Sequence, residues 1–598
     1  MSLQLRSAQK RVIFLTNTES LPLVSVLIPT KNRPQFLELA LNSALQQTYK
    51  NIEIIISDES NNDETEKLIQ SYLHQFPQIR YVKYQENVDY VNNFNYLFKL
   101  SNGEFINYLM DVDLFHPEKI EKMMQHYLSD SELEIRIVTS HRQKINECGE
   151  SLPDSPVTKK LYSKDIILDG ISFGNKIFKN YFNYIGEPTT VLFRKLDLKE
   201  PFGVFEGRIY DCNADLATWM NLLSDGKMVY ISESLSYIRI YNKQHLNSTE
   251  KLIKGAAEYG HSILTSPKKG YLQKNEQYRE SVQSCISQIS STLKKNKHIA
   301  SQIPAYIEAK TYLQFLEQLY LTIQNENVDI RKKPRICFAI LAHENEGILR
   351  VQIENVRRFN PNSFIVVYNG GPNKKFAQNL DIPVCPYSQP LRYGNLTRYF
   401  YDTMRWLEEL NVEYDFFINL DNDVLFIKEG FEEFIEEAMQ GYDCMGPHMH
   451  IQHSRFDYPR FIPGLTMWRE WDKWQPFFKT NFFARYFNPG QVYSRKIIRK
   501  MLSFESFDLV ENLWRNSNVA ALEEMFWITF SICNGGKCRE YPWDFTESLQ
   551  FVRHKPEITK EEVTLAIQKP HYYWIHPIKG NNLIDMHLFL KKGDGFKK

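Results

Sequence analysis

Gly103-Glu104-Phe105-Ile106-Asn107-Tyr108-Leu109-Met110-Asp111-Val112-Asp113 is an apolar run that ends on two carboxylates one residue apart. A short continuous apolar run of this kind reads as a buried strand, which puts both acids at its carboxyl end. Such a pair can hold a hard divalent cation through oxygen and leave coordination positions open for phosphate. Alone, an Asp-x-Asp is usually a cap or a loop. Here the chain repeats it: Tyr414-Asp415-Phe416-Phe417-Ile418-Asn419-Leu420 runs into Asp421-Asn422-Asp423. Asp111 lies 87 residues after Val24 and Asp421 lies 86 after Arg335, and each count starts at the opening of another apolar strand. The equal spacing predicts one architecture used twice.

Working outward from the first copy, Val24 to Pro29 reads as a buried strand, and Leu37, Ala40, Leu41, Ala44 and Leu45 give helical spacing within Phe36 to Gln47. Strands follow at Ile52 to Ser57 and Ile79 to Tyr84, with a helix at Tyr90 to Leu100. Asp63 with Glu66 forms a capping-box pattern between the two strands. Strands alternating with helices predict a mostly parallel sheet covered on both faces. Ligands of such sheets sit beyond the carboxyl ends of the strands, where Thr30, Asp58 and Asp111 all fall. Residues 255–332 are polar and helical, with an apolar stripe at Ile303, Ile307, Leu313, Leu316, Leu319 or Tyr320, and Ile323. The α/β pattern then restarts with strands at 336–342, 364–368 and 415–420 and a helix at 348–359. The expected organisation is an N-terminal extension (1–21), an α/β domain (22–254), a helical linker (255–332) and a second α/β domain (333–598).

Lys+Arg and Asp+Glu balance at 72 each over 598 residues, so no long-range field favours nucleic acid. No apolar run reaches membrane-spanning length and no leader pattern opens the chain. The expectation is a soluble cytoplasmic protein without a transmembrane segment, peripheral membrane contact being left open. The eight cysteines are scattered and form no Cys-x-x-Cys pair, which fits free thiols in a reducing compartment.

The ordered blocks of the first half resemble glycosyltransferase family 2, nucleotide-sugar enzymes of GT-A fold. The blocks are Val24 to Arg33, Ala44 to Tyr49, Ile55 to Ser60, Asn87, Asn92 to Asn95, the Asp-x-Asp, Gly186-Glu187-Pro188, Asp215 to Trp219 and Tyr237-Ile238-Arg239. The resemblance implies a Rossmann-like sheet, a UDP-sugar donor, Mn²⁺ or Mg²⁺, and a glycan or glycoprotein acceptor. Carried over, it makes Asp58 the partner of the donor base, with Thr30, Asn87 and Asp111 on the donor side. Asp111 and Asp113 become metal ligands, Glu187 and Trp219 acceptor-side residues, and Asp215 the base, which inverts the anomeric carbon in a single displacement. Asp211, four residues earlier, is the alternative base. The family's histidine beyond the Tyr-x-Arg block is Tyr241 here, and His245 is the substitute third ligand.

The second half resembles GT-A enzymes in layout. On that resemblance His343 stands at the donor-base end and Asp421 and Asp423 bind metal. His576 of Trp574-Ile575-His576-Pro577-Ile578-Lys579 completes the shell, and Lys579 pairs with phosphate. Glu523 and Glu524 are candidates for base or acceptor binding, Glu523 being equally readable as a solvated helix residue. Trp468, Trp471 and Trp474 read as core or as an acceptor cleft, and His448, His450 and His453 as a loop. The leading expectation is a bifunctional glycosyltransferase. The alternatives are a single-site enzyme whose second domain only binds acceptor, a nucleotidyltransferase (which lacks its Gly-rich phosphate loop here) and a scaffold.

Overall fold

The structure, a computed structural model, describes residues 21–83, 90–241, 249–299, 303–324, 335–392, 394–505 and 507–592. It divides into two compact units, Met1–Ser248 with Lys269–Tyr271, and Thr249–Lys268 with Leu272–Lys598.

The first unit opens with β1 (Val24–Thr30), β2 (Ile52–Asp58), β3 (Ile79–Lys83) and β4 (Phe105–Tyr108), all parallel. Every residue of β1 is buried, as a strand covered on both faces requires. β5 (Leu114–Phe115), β6 (Ile135–Ile145), β7 (Ile166–Asp169) and β8 (Leu192–Arg194) follow. A hairpin of β9 (Val204–Phe205) and β10 (Arg208–Ile209) comes next, and β11 (Lys227–Arg239) ends the sheet. Across the sheet the order is β3-β2-β1-β4-β8-β6-β11-β5, with β7 on β11. Register puts Thr30 opposite Asp58, Asp58 opposite Lys83 and Leu27 opposite Tyr108, so the carboxyl ends are level. Gly103 starts the β4 approach because a Cβ there would lie 2.4 Å from Ser25 Oγ, whose oxygen instead accepts the Gly103 N–H. The capping box at Asp63 and Glu66 does not form. Asp63 makes no side-chain cap bond and pairs with Lys67 one turn on.

The second unit repeats the plan. β12 (Ile336–Ala342), β13 (Phe364–Asn369) and β14 (Phe416–Asp421) are parallel, followed by β15 (Leu425–Phe426), β16 (Cys444–Gly446), β17 (His450–Gln452), β18 (Phe483–Arg485), β19 (Val492–Ser494), β20 (Cys538–Glu540) and β21 (Trp574–Ile575). Its sheet runs β13-β12-β14-β19-β16-β20. Along this path the pairs are parallel, parallel, antiparallel, antiparallel and parallel. The path β2-β1-β4-β8-β6-β11 of the first unit has the same sequence of directions and the same order in the chain. In each unit the two-residue strand just after Asp-x-Asp pairs antiparallel with a late strand: β5 with β11, β15 with β21.

The helices Thr249–Thr265, Asn275–Lys295 and Pro304–Ile323, which fill most of the stretch read as a linker, belong to the second unit apart from a three-residue return to the first. Pro304–Ile323 buries Tyr312, Phe315, Leu316, Leu319 and Ile323, while Ile307 of the expected stripe is exposed. Gln318 of this helix accepts the Ile365 N–H at 2.9 Å and donates to its carbonyl, satisfying the edge of β13 next to the single bridge that Val384 makes with Val367. All eight cysteines are free thiols. Among the described residues no helix is long and apolar enough to cross a membrane.

Candidate functional site

In the first unit the turn after β4 delivers Asp111 to the end of β1. Thr30 donates its hydroxyl to Asp111 Oδ2 at 2.8 Å, and Arg33 Nε lies 3.1 Å from the same oxygen. Arg33 is held on its other side by the Tyr241 hydroxyl at 2.7 Å. Asp113 accepts from the Thr189 hydroxyl at 2.6 Å and from the Arg239 backbone N–H at 3.0 Å. Both acids are buried. Burial pushes Asp111 up to about 6, Arg33 and Thr30 opposing it, and pushes Asp113 up to about 7 against the Thr189 and Arg239 bonds. Asp58 is also buried and accepts from Ser60 N–H, the Tyr81 hydroxyl and Lys83 at 2.8–2.9 Å. A carboxylate offers about four acceptor sites, of which three are taken among the described residues. Thr30, Arg33, Glu59, Tyr90 and Asn93 line a cavity of about 220 Å³ at these strand ends. Asn87 and His245 lie outside the described residues.

Asp215 sits in the first turn of the helix Ala214–Leu223, where the helix dipole favours an anion. Its Oδ2 accepts from Asn183 Nδ2 at 2.8 Å and its Oδ1 from the Leu216 N–H at 2.7 Å. Burial nevertheless pushes it up to about 7, and the Glu187 charge adds to the rise. Asp211 stands in the bend before the helix. Glu187 pairs with Arg142 Nε at 2.6 Å. Gly186, at φ +121°, is obligatory beside it, since a Cβ would fall 2.1 Å from Thr190 Oγ1.

Trp219 is not at the acceptor surface. It is fully buried against Phe193 and Phe202, and its Nε1–H donates to the Gly186 carbonyl at 2.9 Å. An indole on an apolar helix gains more from the core than from solvent, so its part is to hold the Gly186-Glu187 turn.

In the second unit one cavity of about 1250 Å³ gathers the residues that the resemblance gives a donor, metal or base role there: His343, Asp421, Asp423, Glu523, Glu524, His576 and Lys579. Asp421 ends β14, and both its oxygens accept from Asn488 Nδ2 at 3.1–3.2 Å. His576 arrives through the β15–β21 ladder, which pairs Leu425 with Ile575. Its Nδ1–H donates to the Arg553 carbonyl at 2.9 Å, which turns Nε2 toward Asp423 Oδ1, 3.1 Å away. Fixing one ring nitrogen on a carbonyl is how a metal-ligating imidazole is oriented. Burial and the Asp423 charge push Asp421 up. Burial works the same way on Asp423, but the His576 and Lys579 charges outweigh it and hold it below the usual carboxylate range. Burial depresses His576, and the Asp423 carboxylate more than restores it, leaving it raised.

Glu523 and Glu524 open the helix Glu523–Cys533, and both are buried, so the solvated reading of Glu523 does not hold. Glu523 Oε2 accepts the Leu396 N–H at 2.9 Å, and burial pushes the acid up to about 7. Glu524 pairs with Arg485 Nε at 2.9 Å. Trp474 is core, while Trp468 and Trp471 pack on Phe483. Burial and Arg485 hold His448 and His450 down to about 4.

Both acid pairs suit a divalent cation. Asp111 Oδ1 is a buried acceptor that receives no hydrogen bond among the described residues. One ligand atom each from Asp421, Asp423 and His576 lie within 4.8 Å of one another, a set of two oxygens and an imidazole appropriate to Mn²⁺ or another borderline cation.

Arg33, Arg142, Asn183, Arg485 and Asn488 were given no role from sequence. Arg485 and Asn488 are 39 and 36 residues from Glu524 and carry no local pattern that pairs them with it. The Asn488-Pro489-Gly490 turn directly after Tyr486-Phe487 was the available signal.

Comparison with known proteins gives the first unit a family. Residues 25–185 match the model for glycosyl transferase family 2, and the first unit thus carries a family 2 glycosyltransferase domain. A protein of Rickettsia conorii named an uncharacterised glycosyltransferase is 36% identical over 174 residues, which are 27% of this chain and 28% of that protein. A Rickettsia typhi protein of the same description is 28% identical over 291 residues, 48% of this chain and 84% of its own length. The chain therefore spans about a quarter of the Rickettsia conorii relative and most of the Rickettsia typhi one. Among solved structures, S. aureus TarS 1–349 in complex with UDP-GlcNAc aligns with 50% of this chain and 86% of its own, at 15% identity and a TM-score of 0.37.

Proposed function

We propose that the chain is a bifunctional, metal-dependent glycosyltransferase that moves sugars from UDP-sugar donors to a glycan or glycoprotein acceptor in surface-glycan synthesis. The observation that carries this reading is the second cavity, where Asp421, Asp423, His576, Lys579 and two buried acids converge as the repeated topology requires. In the first unit Thr30, Asp58 and Asp111 line the donor side. Asp58 accepts from the base N–H, and Asp215 takes the proton of the acceptor hydroxyl as its oxygen attacks the anomeric carbon from the far side. Glu187, held by Arg142, orients the acceptor. In the second unit His343 lies at the donor-base end and Lys579 places a compact positive charge on phosphate. A divalent cation on Asp111 and Asp113, or on Asp421, Asp423 and His576, would neutralise charge building on the departing nucleoside diphosphate. Donor and acceptor held in register lower the barrier by removing the entropy of encounter.

Nucleotide release from a panel of UDP- and GDP-sugars with Mn²⁺ tests the reading, on wild type, Asp113→Ala, Asp423→Ala and the double variant. Two active sites lose turnover with different donors in the two single variants. If Asp423→Ala leaves every activity intact, the second unit is an acceptor-binding module and the enzyme has one site.

A further inference from the structure

We infer that the helix Glu523–Cys533 does in the second unit what the helix Ala214–Leu223 does in the first, with Glu523 as the base of a second inverting transfer and Glu524 with Arg485 as its positioning pair. The inference rests on the two-site reading and deepens it.

Three observations carry it. The first is topological. Each helix directly precedes the strand that pairs parallel with the sheet's inner antiparallel strand, β11 on β6 and β20 on β16. Each also presents its acid in the first turn. The second is register. Asp215 and Glu523 both stand four residues before a fully buried tryptophan, Trp219 and Trp527, whose indole N–H donates to a backbone carbonyl. One helical turn therefore separates acid and anchor in both units. The third is the division of labour between neighbouring acids. In the first unit Glu187 is paired with Arg142 while Asp215, among the described residues, accepts from an amide and an N–H and has no ion-pair partner. In the second, Glu524 is paired with Arg485 and takes the Asn488 N–H, while Glu523 accepts from the Leu396 N–H and has no ion-pair partner among the described residues. An acid neutralised by a guanidinium is a poor proton acceptor, and one facing a second carboxylate is a better one.

The step balances without another reactant. The acceptor O–H gives its proton to Glu523 and its oxygen bonds to the anomeric carbon. The bond from that carbon to phosphate breaks, and the nucleoside diphosphate leaves with the electron pair. Glu524 touches no reacting atom. It ties Arg485 and the Asn488 backbone together, and Asn488 in turn holds Asp421.

The test uses the full chain carrying Asp113→Ala, so that turnover reports the second site, with UDP-glucose, UDP-galactose and their N-acetylamino counterparts as donors and UDP binding as the control for folding. Adding Glu523→Gln is expected to lower kcat at least 100-fold with UDP affinity within threefold. Formate is expected to return at least tenfold of the turnover lost in Glu523→Ala, which a packing defect would not allow. Adding Glu524→Gln is expected to raise KM more than it lowers kcat. Turnover within threefold of the parent in Glu523→Gln, or the kcat loss appearing in Glu524→Gln instead, overturns the assignment. A parent with no turnover on any donor rejects the two-site reading itself, and the base with it.

Discussion

The two Asp-x-Asp sites stand at the same point of the same topology and are neutralised in different ways. In the first unit Asp111 meets a guanidinium and Asp113 meets a hydroxyl and a backbone N–H. In the second, Asp421 meets an amide and Asp423 an imidazole. The late strand that pairs with the residues just after Asp-x-Asp ends in Arg239 in one unit, and the other such strand runs into His576. Family likeness is in the first unit, yet among the described residues the Asp-x-Asp that stands with a histidine is in the second. Family resemblance follows strand ends and turns, whereas a metal shell depends on which side chain the last strand brings in.

The comparison can be broken most forcefully at the bases. On the proposed mechanism Asp215→Asn lowers kcat at the first site by about 10²–10⁴, with second-site turnover, measured on its own donor, unchanged. Loss at both sites would mean that the units do not act independently.

Next in size is the imidazole. His576→Ala is expected to weaken Mn²⁺ binding at the second site by about 100-fold, read as loss of one of two binding events in an EPR titration. Retention of both events would remove His576 from the shell.

The pH dependence sharpens the comparison. The acid of Asp215 is pushed up to about 7, and a base works only when ionised. First-site turnover is therefore expected to rise about tenfold per pH unit below that value and to level above it. A profile that is flat between pH 5 and 8, recorded with saturating donor, would place the base elsewhere.

Arg33 makes the smaller electrostatic difference. Arg33→Ala, in an Asp423→Ala background, is expected to tighten Mn²⁺ at the first site by roughly fivefold, because a guanidinium 3.1 Å from Asp111 competes with a cation there. An unchanged affinity would show that the side chain moves aside at no cost.

The smallest effect belongs to Trp219. Trp219→Phe removes one buried hydrogen bond and should cost about 1 kcal/mol of stability by denaturant titration, any rise in acceptor KM accompanying that loss because the bond holds the Gly186-Glu187 turn. A KM effect without a stability effect would restore it to the acceptor site.

Most of the frame could be read in advance because it is local. The apolar runs at Val24 to Pro29, Ile336 to Ala342 and both Asp-x-Asp strands bury themselves whatever surrounds them, and they formed where the pattern put them. His576 and Lys579 were also legible, since they follow a short apolar block. Pairings across the fold were not. That Arg33 meets Asp111, Arg142 meets Glu187 or Asn488 meets Asp421 depends on register between strands tens of residues apart. No window along the chain contains that register. The capping box at Asp63 failed for the opposite reason: the local pattern was present, but a lysine one turn away took the carboxylate.

The β15–β21 ladder also bears on how the protein is made. Asp423 and His576 are separated by more than 150 residues, yet they are brought together by a two-residue pairing whose second strand follows every other described strand of the second unit. A nascent chain that carries Asp423 but not yet Trp574 has both acids and no imidazole to complete them. On the proposed mechanism, cation capture there would report a unit whose last described strand has been made. On that mechanism a chain cut before residue 574 would lack the imidazole, and its metal content is expected to fall below that of a chain that carries His576.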